Sequence, residues 1–75
     1  MKEQTSIIIY YPIHLFDIEL DNSLEKCVGR PVEKSTYTIE NGRSLKFSQV
    51  YISRIPEVNH KIQKICPQAV LEVQD

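Results

Sequence analysis

The sequence lacks the residues on which several kinds of site depend. It has no tryptophan, two glycines and two cysteines. Two glycines, Gly29 and Gly42, cannot form a glycine-rich loop for a phosphate or a dinucleotide. Cys27 and Cys66 are too few for a disulfide framework, and their spacing matches no zinc pattern. We therefore expect no metal, no cofactor and two buried, unreactive thiols in a reducing, cytoplasmic setting.

Long hydrophobic runs are also missing. The main apolar run covers residues 7–11, and Pro12 and His14 interrupt its continuation. A membrane-spanning helix needs about 20 apolar residues. A secretory signal peptide also needs a longer apolar region than this one. We therefore expect neither a membrane segment nor a secretory signal.

An excess of charge of one sign is absent as well. Nine basic and ten acidic residues give a formal net charge of −1. Proteins that hold nucleic acid by neutralising its phosphates usually carry a clear basic excess, which disfavours that class. His14 and His60 have no cysteine, histidine or carboxylate at ligand spacing, so they are weak candidates for metal binding or catalysis.

The remaining composition is that of a folded domain. Hydrophobic residues make up 41% of the chain and charged residues 25%, which disfavours disorder. Its 75 residues predict one domain, covering residues 1–75. A domain of this size buries only about 60% of its unfolded surface, so its core is marginal. A partner or a second copy could supply the missing burial.

The first part of the chain predicts a central strand followed by a helix. Residues 6–11 are β-branched and aromatic and apolar on both faces, as in a strand inside a sheet. Residues 13–28 carry an apolar stripe at helical spacing, and Gly29 occupies the position of a C-terminal cap. The alternative is an extra strand over residues 13–20, where apolar and polar residues also alternate, followed by a short helix over residues 24–28.

A β-hairpin is predicted by Asn41-Gly42, which lies between two alternating runs. A two-residue loop would place Tyr37 and Leu45 on opposite faces of the hairpin. A three-residue loop, Glu40-Asn41-Gly42, pairs Tyr37 with Leu45 and puts both on the buried face. Because a one-residue slip turns every side chain to the other face, burial favours the three-residue loop.

The last part of the chain predicts a helix over residues 56–66, stopped by Pro67, and a strand over residues 69–73. The order strand, helix, strand, strand, helix, strand is that of an α+β, ferredoxin-like βαββαβ sandwich. In this architecture a four-stranded antiparallel sheet, in the order 4-1-3-2, carries both helices on one face. The architecture hosts many unrelated functions, so it predicts none.

The predicted strand order puts four apolar side chains on the sheet face that the helices leave open. Ile8 and Tyr10 alternate away from the helices on the first strand, and Val50 and Val70 lie on its two neighbours. Contiguous exposed apolar patches on small domains usually mark partner surfaces. We therefore predict a partner interface made of Ile8, Tyr10, Val50 and Val70.

A second candidate surface is basic. Arg54, His60, Lys61 and Lys64 surround the last helix and could bind an anionic partner. Residues 43–51 also partly match the base-stacking strand of RNA-recognition modules, but both glycines of that pattern are missing. Nucleic-acid binding through the hairpin and the last helix is therefore the alternative hypothesis and not the first.

No group of residues in the sequence predicts catalysis. A nucleophile elbow and paired acid and base groups are both absent from the pattern. The sequence therefore predicts a non-enzymatic protein-interaction or regulatory domain. It would act through its open sheet face, either as a homo-oligomer or as an accessory or inhibitor subunit.

Overall fold

The computed structural model describes residues 3–37 and 42–74. In this part of the chain it contains four strands, two α-helices and two short 3₁₀ turns. The strands are β1 (Gln4–Pro12), β2 (Glu33–Tyr37), β3 (Gly42–Tyr51) and β4 (Val70–Gln74), the helices are α1 (Ile18–Val28) and α2 (Ile55–Ile65), and the turns are Ile13–Leu15 and Ile52–Arg54.

The four strands form one antiparallel sheet in the order β2-β3-β1-β4. This is the order predicted for the ferredoxin-like arrangement, and the α+β fold is confirmed. β1 lies inside the sheet because its apolar side chains occupy both faces, and a strand of that kind is stable only between two neighbours. The edges are β2 and β4.

The core lies between one face of the sheet and the two helices. Ile7, Ile9 and Tyr11 point into it from β1, as the alternation predicts. Leu24 of α1 joins them from the helix layer. Buried together with these four are Leu45, Phe47, Val50, Val58, Ile62, Cys66 and Ala69.

The segment after β1 is one helix, and the alternative of a strand over residues 13–20 is wrong. The helix begins five residues later than its apolar stripe, because Asp17 has an extended backbone and its side chain accepts the Glu19 N–H at 3.0 Å. It ends where predicted. Gly29 has a φ of 134°, and its N–H donates to the carbonyl of Glu25 at 2.6 Å.

The predicted hairpin register is wrong. Leu45 pairs with Lys34, and Tyr37 pairs with Gly42. Gly42 is thus the first residue of β3 and not the last residue of a loop, while Glu40 and Asn41 lie outside the described residues.

The reason for the different register is the position of β2 at the edge of the sheet. The prediction assumed that β2 must bury an apolar side chain beside Leu45. Lys34 takes that position and forms an ion pair with Glu25 of α1, with a distance of 2.9 Å between Nζ and Oε2. Because a polar side chain of α1 covers this edge strand, the strand gains little by burying apolar groups. Burial therefore does not determine its register.

A β-bulge changes the direction of the side chains at the end of β3. Thr5 pairs with Val50, but Ile7 pairs with Phe47, so two residues of β3, Ser48 and Gln49, stand opposite one of β1. Gln49 has a φ of 58°, in the left-handed region. The prediction that Val50 lies on the open face is therefore wrong, because the extra residue turns its side chain into the core, where it is 5% exposed.

The predicted second helix and last strand are confirmed. Pro56 lies in the first turn of α2, and Glu57 forms an ion pair with Lys61 one turn later, at 3.2 Å. Leu71 packs against the core, whereas Val73 at the end of β4 is about half exposed. Among the residues that the structure describes, neither α1 nor α2 is long and apolar enough to cross a membrane.

Candidate functional site

The sheet face away from the helices presents two rows of side chains that run across all four strands. We call this surface the open face. The strand pairings define the rows, and the middle of each row belongs to β1. The first row is Glu33, Lys46, Ile8 and Glu72, and the second row is Ser35, Ser44, Tyr10 and Val70.

The apolar part of the open face is smaller than predicted. Ile8 and Tyr10 lie next to each other on β1 and are half-buried, and Val70 pairs with Tyr10 and is 58% exposed. Val50 is absent from it because of the bulge. Three of the four predicted interface residues, Ile8, Tyr10 and Val70, therefore meet in one patch.

The charges of the open face lie on either side of Ile8. Lys46 pairs with Ile8 on the β3 side, and Glu72 pairs with it on the β4 side. Glu72 also accepts a hydrogen bond from Gln74 at 3.1 Å. Glu33 lies beyond Lys46, on the edge strand β2. The immediate neighbours of Ile8 in the first row are therefore basic on the β3 side and acidic on the β4 side, and a second acidic residue ends the row on β2.

The predicted basic patch is only partly assembled. Arg54 precedes α2 and donates to the carbonyl of Cys27, at 3.4 Å, which ties it to the end of α1. Lys61 pairs with Glu57. His60 and Lys64 are exposed one turn apart on α2. The structure thus brings His60 and Lys64 together and gives Arg54 and Lys61 intramolecular partners, and anion binding there remains a prediction.

A buried polar network, which sequence reasoning missed, lies on the helix side of the sheet. Asp21 of α1 is fully buried. One of its carboxylate oxygens accepts a hydrogen bond from the Tyr11 hydroxyl at 2.5 Å, and the other accepts one from the Arg43 guanidinium at 2.7 Å. Arg43 also donates to the hydroxyl of Thr36 at 3.1 Å, and its guanidinium carbon lies 4.9 Å from the centre of the Phe16 ring.

The sequence does contain a signal for this network. Asp21 occupies a position of the apolar stripe of α1, three residues before Leu24. Arg43 alternates with inward Leu45, and Tyr11 alternates with inward Ile9. A polar residue at a buried position in each of three elements indicates that the three meet, because a buried charge needs a partner.

The electrostatics of the network hold the protons of Tyr11 and Arg43 in place. Burial raises the pKa of the Tyr11 phenol, and the hydrogen bond and negative charge of Asp21 raise it further, against a smaller opposing effect of Arg43. The hydrogen bond with Asp21 raises the pKa of the Arg43 guanidinium. A phenol that holds its proton and a carboxylate that is paired with a guanidinium are poorly suited to general base catalysis. The arrangement fits a structural tie between α1, β1 and β3.

We expect the protein to lose stability above about pH 10 because of Tyr11. The folded protein holds this phenolic proton more tightly than the unfolded chain does, so the stabilisation is complete below the unfolded pKa. Above it, the unfolded chain loses its proton first, and the free energy of unfolding falls by up to about 1.4 kcal/mol per pH unit. Urea unfolding of the protein and of Tyr11→Phe across this range measures the difference. Equal slopes in the two proteins would contradict it.

An apolar groove of about 420 Å³ lies on the helix side of β4, lined by Thr5, Ile52, Ile55, Pro56 and Val73. The hydroxyl of Thr5, its polar lining group, donates to the carbonyl of Gln74 at 3.0 Å. The groove therefore offers apolar surface without converging catalytic groups among the residues that line it.

The described residues contain no cluster of three or more His, Cys, Asp or Glu side chains that could hold a metal ion. Cys66 is buried and Cys27 is half-buried, and both thiols are free. Comparison of the chain with protein-family models, with curated proteins and with solved structures finds no match. The open face and the buried network are therefore the features from which a function can be proposed.

Proposed function

We propose that the chain is a non-enzymatic protein-interaction domain that binds its partner through the open face of its sheet. The observation that carries the proposal is the patch of Ile8, Tyr10 and Val70, three neighbouring apolar side chains on the face that carries neither helix. A protein partner that covers this patch would gain apolar burial that the small core of the domain leaves unused.

The arrangement of the patch resembles the centre of an interface more than a random surface. An aromatic ring and two aliphatic side chains form the middle, and Lys46 and Glu72 stand at its sides. Interfaces commonly have an apolar centre and a polar rim. The charges of both signs also favour a protein over a nucleic acid as the partner, because Glu33 and Glu72 would face the phosphates together with Lys46.

The test places a photo-crosslinking amino acid at Val70 and, as the matched control, at His60. Both positions are exposed, but His60 lies on the outer side of α2, away from the open face. In cells that produce the protein naturally, we expect crosslinks to a protein from position 70 and far fewer from position 60. We also expect Ile8→Lys to abolish the crosslinks from position 70.

Two outcomes would contradict the proposal. One is equal crosslinking from positions 70 and 60, which would show that the open face is not preferred. The other is crosslinking from position 70 that Ile8→Lys leaves unchanged, because Ile8 lies at the centre of the face. Circular dichroism of each variant establishes beforehand that it is folded.

A further inference from the structure

We infer that the occupant of the open face is a second copy of this chain, related to the first by a twofold axis that runs along β1. The inference rests on the proposed function and names the partner. In this dimer the two sheets pack face to face, and Ile8 and Tyr10 meet their own counterparts. Lys46 of each copy then faces Glu72 of the other.

The charges next to Ile8 in the first row are complementary to those of a second copy about this axis. Lys46 and Glu72 flank Ile8 on opposite sides, on β3 and on β4. A twofold axis along β1 keeps the position along the strand and exchanges the two sides, so β3 of one copy lies over β4 of the other. Both ion pairs then form at once, as a closed twofold interface requires. A row with equal charges on both sides would repel its copy in this arrangement.

The second row has an exposed apolar side chain on one side of β1 and a covered polar one on the other. Val70 on β4 is 58% exposed, whereas Ser44 on β3 is 5% exposed. The same axis places Val70 of each copy over the β3 position of Ser44 of the other, so the exposed valine is covered by the partner's sheet. Glu33 on β2 falls outside the overlap, beyond the partner's β4, and faces water.

The size of the overlap sets the expected affinity. Three overlapping strands spaced about 4.8 Å apart present on the order of 300 Å² per copy. The total of about 600 Å² lies below the roughly 1,200–2,000 Å² of stable specific interfaces, so association of this kind is weak and transient. We therefore expect a concentration-dependent dimer with a Kd of roughly 10–500 µM, which sedimentation velocity between about 10 µM and 1 mM detects.

The test reverses the charges one at a time and then together. Lys46→Glu places two acidic groups opposite each other, and Glu72→Lys places two basic groups opposite each other. Each single variant should raise the Kd at least about tenfold. The double variant, with both charges exchanged, should dimerise as the original protein does. An equimolar mixture of the two single variants should also dimerise, because each then meets the opposite charge at both positions.

The matched control is Lys64→Glu, a charge reversal on the exposed side of α2, which should leave the Kd unchanged. A protein that stays monomeric up to 1 mM overturns the inference, and so does a mixture of the single variants that associates no better than either alone. If the protein is monomeric while position 70 still crosslinks to another protein, the twofold dimer fails and the proposed function stands. If crosslinking also fails, both fail.

Discussion

Replacing Asp21 with alanine is expected to lower the free energy of unfolding by about 3–5 kcal/mol. Stability of about 0.05–0.15 kcal/mol per residue gives a domain of this size roughly 4–11 kcal/mol in total. The substitution should therefore remove between about a quarter and all of the stability of the domain, measured by urea unfolding followed by circular dichroism.

The size of this effect follows from the two buried groups that lose their partner when Asp21 is removed. Its carboxylate binds the Tyr11 hydroxyl and the Arg43 guanidinium, and it is fully buried. The side chain of Arg43 is only 14% exposed, so without Asp21 a buried charge loses its counter-ion. The Nε atom of Arg43 already has no hydrogen-bond partner among the described residues, so the remaining contacts compensate poorly.

Glu25→Ala is the matched control, since it removes an acidic side chain from the next turn of the same helix. Glu25 pairs with Lys34 near the surface, and such pairs contribute about 0–1 kcal/mol. A loss of similar size for Asp21→Ala and Glu25→Ala would show that the buried network is not important for stability.

A double substitution separates the charge from the packing. Asp21→Leu together with Arg43→Met removes both charges and keeps much of the buried volume. Replacing a complete buried ion pair with apolar groups is often neutral, whereas removing one partner is not. The double variant should therefore be more stable than Asp21→Leu alone, and the coupling energy of the cycle measures the pair.

Val50→Lys is expected to unfold most of the protein, and Val70→Lys is expected to leave it folded. Val50 is 5% exposed in the core, so the substitution buries an ammonium group without a counter-ion, at a cost of several kcal/mol. Val70 is 58% exposed on the open face, where the same substitution changes stability by about 0.5 kcal/mol or less.

This pair of variants tests the bulge directly. Each variant replaces a valine with a lysine, and the two valines lie on the two strands next to β1. Thermal unfolding by circular dichroism compares their stabilities. Without the bulge, Val50 would lie on the open face, and both variants would be folded and would differ from the original only in association. That result would show the register at the end of β3 to be different.

The bulge also shows why the interface was predicted only in part. Leu45 and Phe47 are two residues apart, but Val50 follows three residues later, and a regular strand cannot turn all three inward. Burying a valine stabilises by about 1.5–3 kcal/mol. Holding Gln49 in the left-handed region costs about 1–2 kcal/mol. The balance between these two energies, and not the alternation pattern, decides the face of Val50.

The hairpin register and the buried network were missed for a related reason. Lys34 can stand beside Leu45 because Glu25 of α1 lies above it. Asp21 can lie in an apolar stripe because Arg43, 22 residues away, reaches it. In both cases the partner side chain belongs to another element of the fold. The local sequence pattern therefore does not show that this partner lies within reach.

The sequence by itself determined the elements and their arrangement. The alternation of β1 directed Ile7, Ile9 and Tyr11 into the core, and Gly29 ended α1, because each depends on the preferences of neighbouring residues. The tertiary structure alone decided the register of the edge strand, the side of Val50 and the pairing of Asp21 with Arg43. Each of these depends on how much burial or charge neutralisation a distant element supplies, and that is known only once the elements have packed.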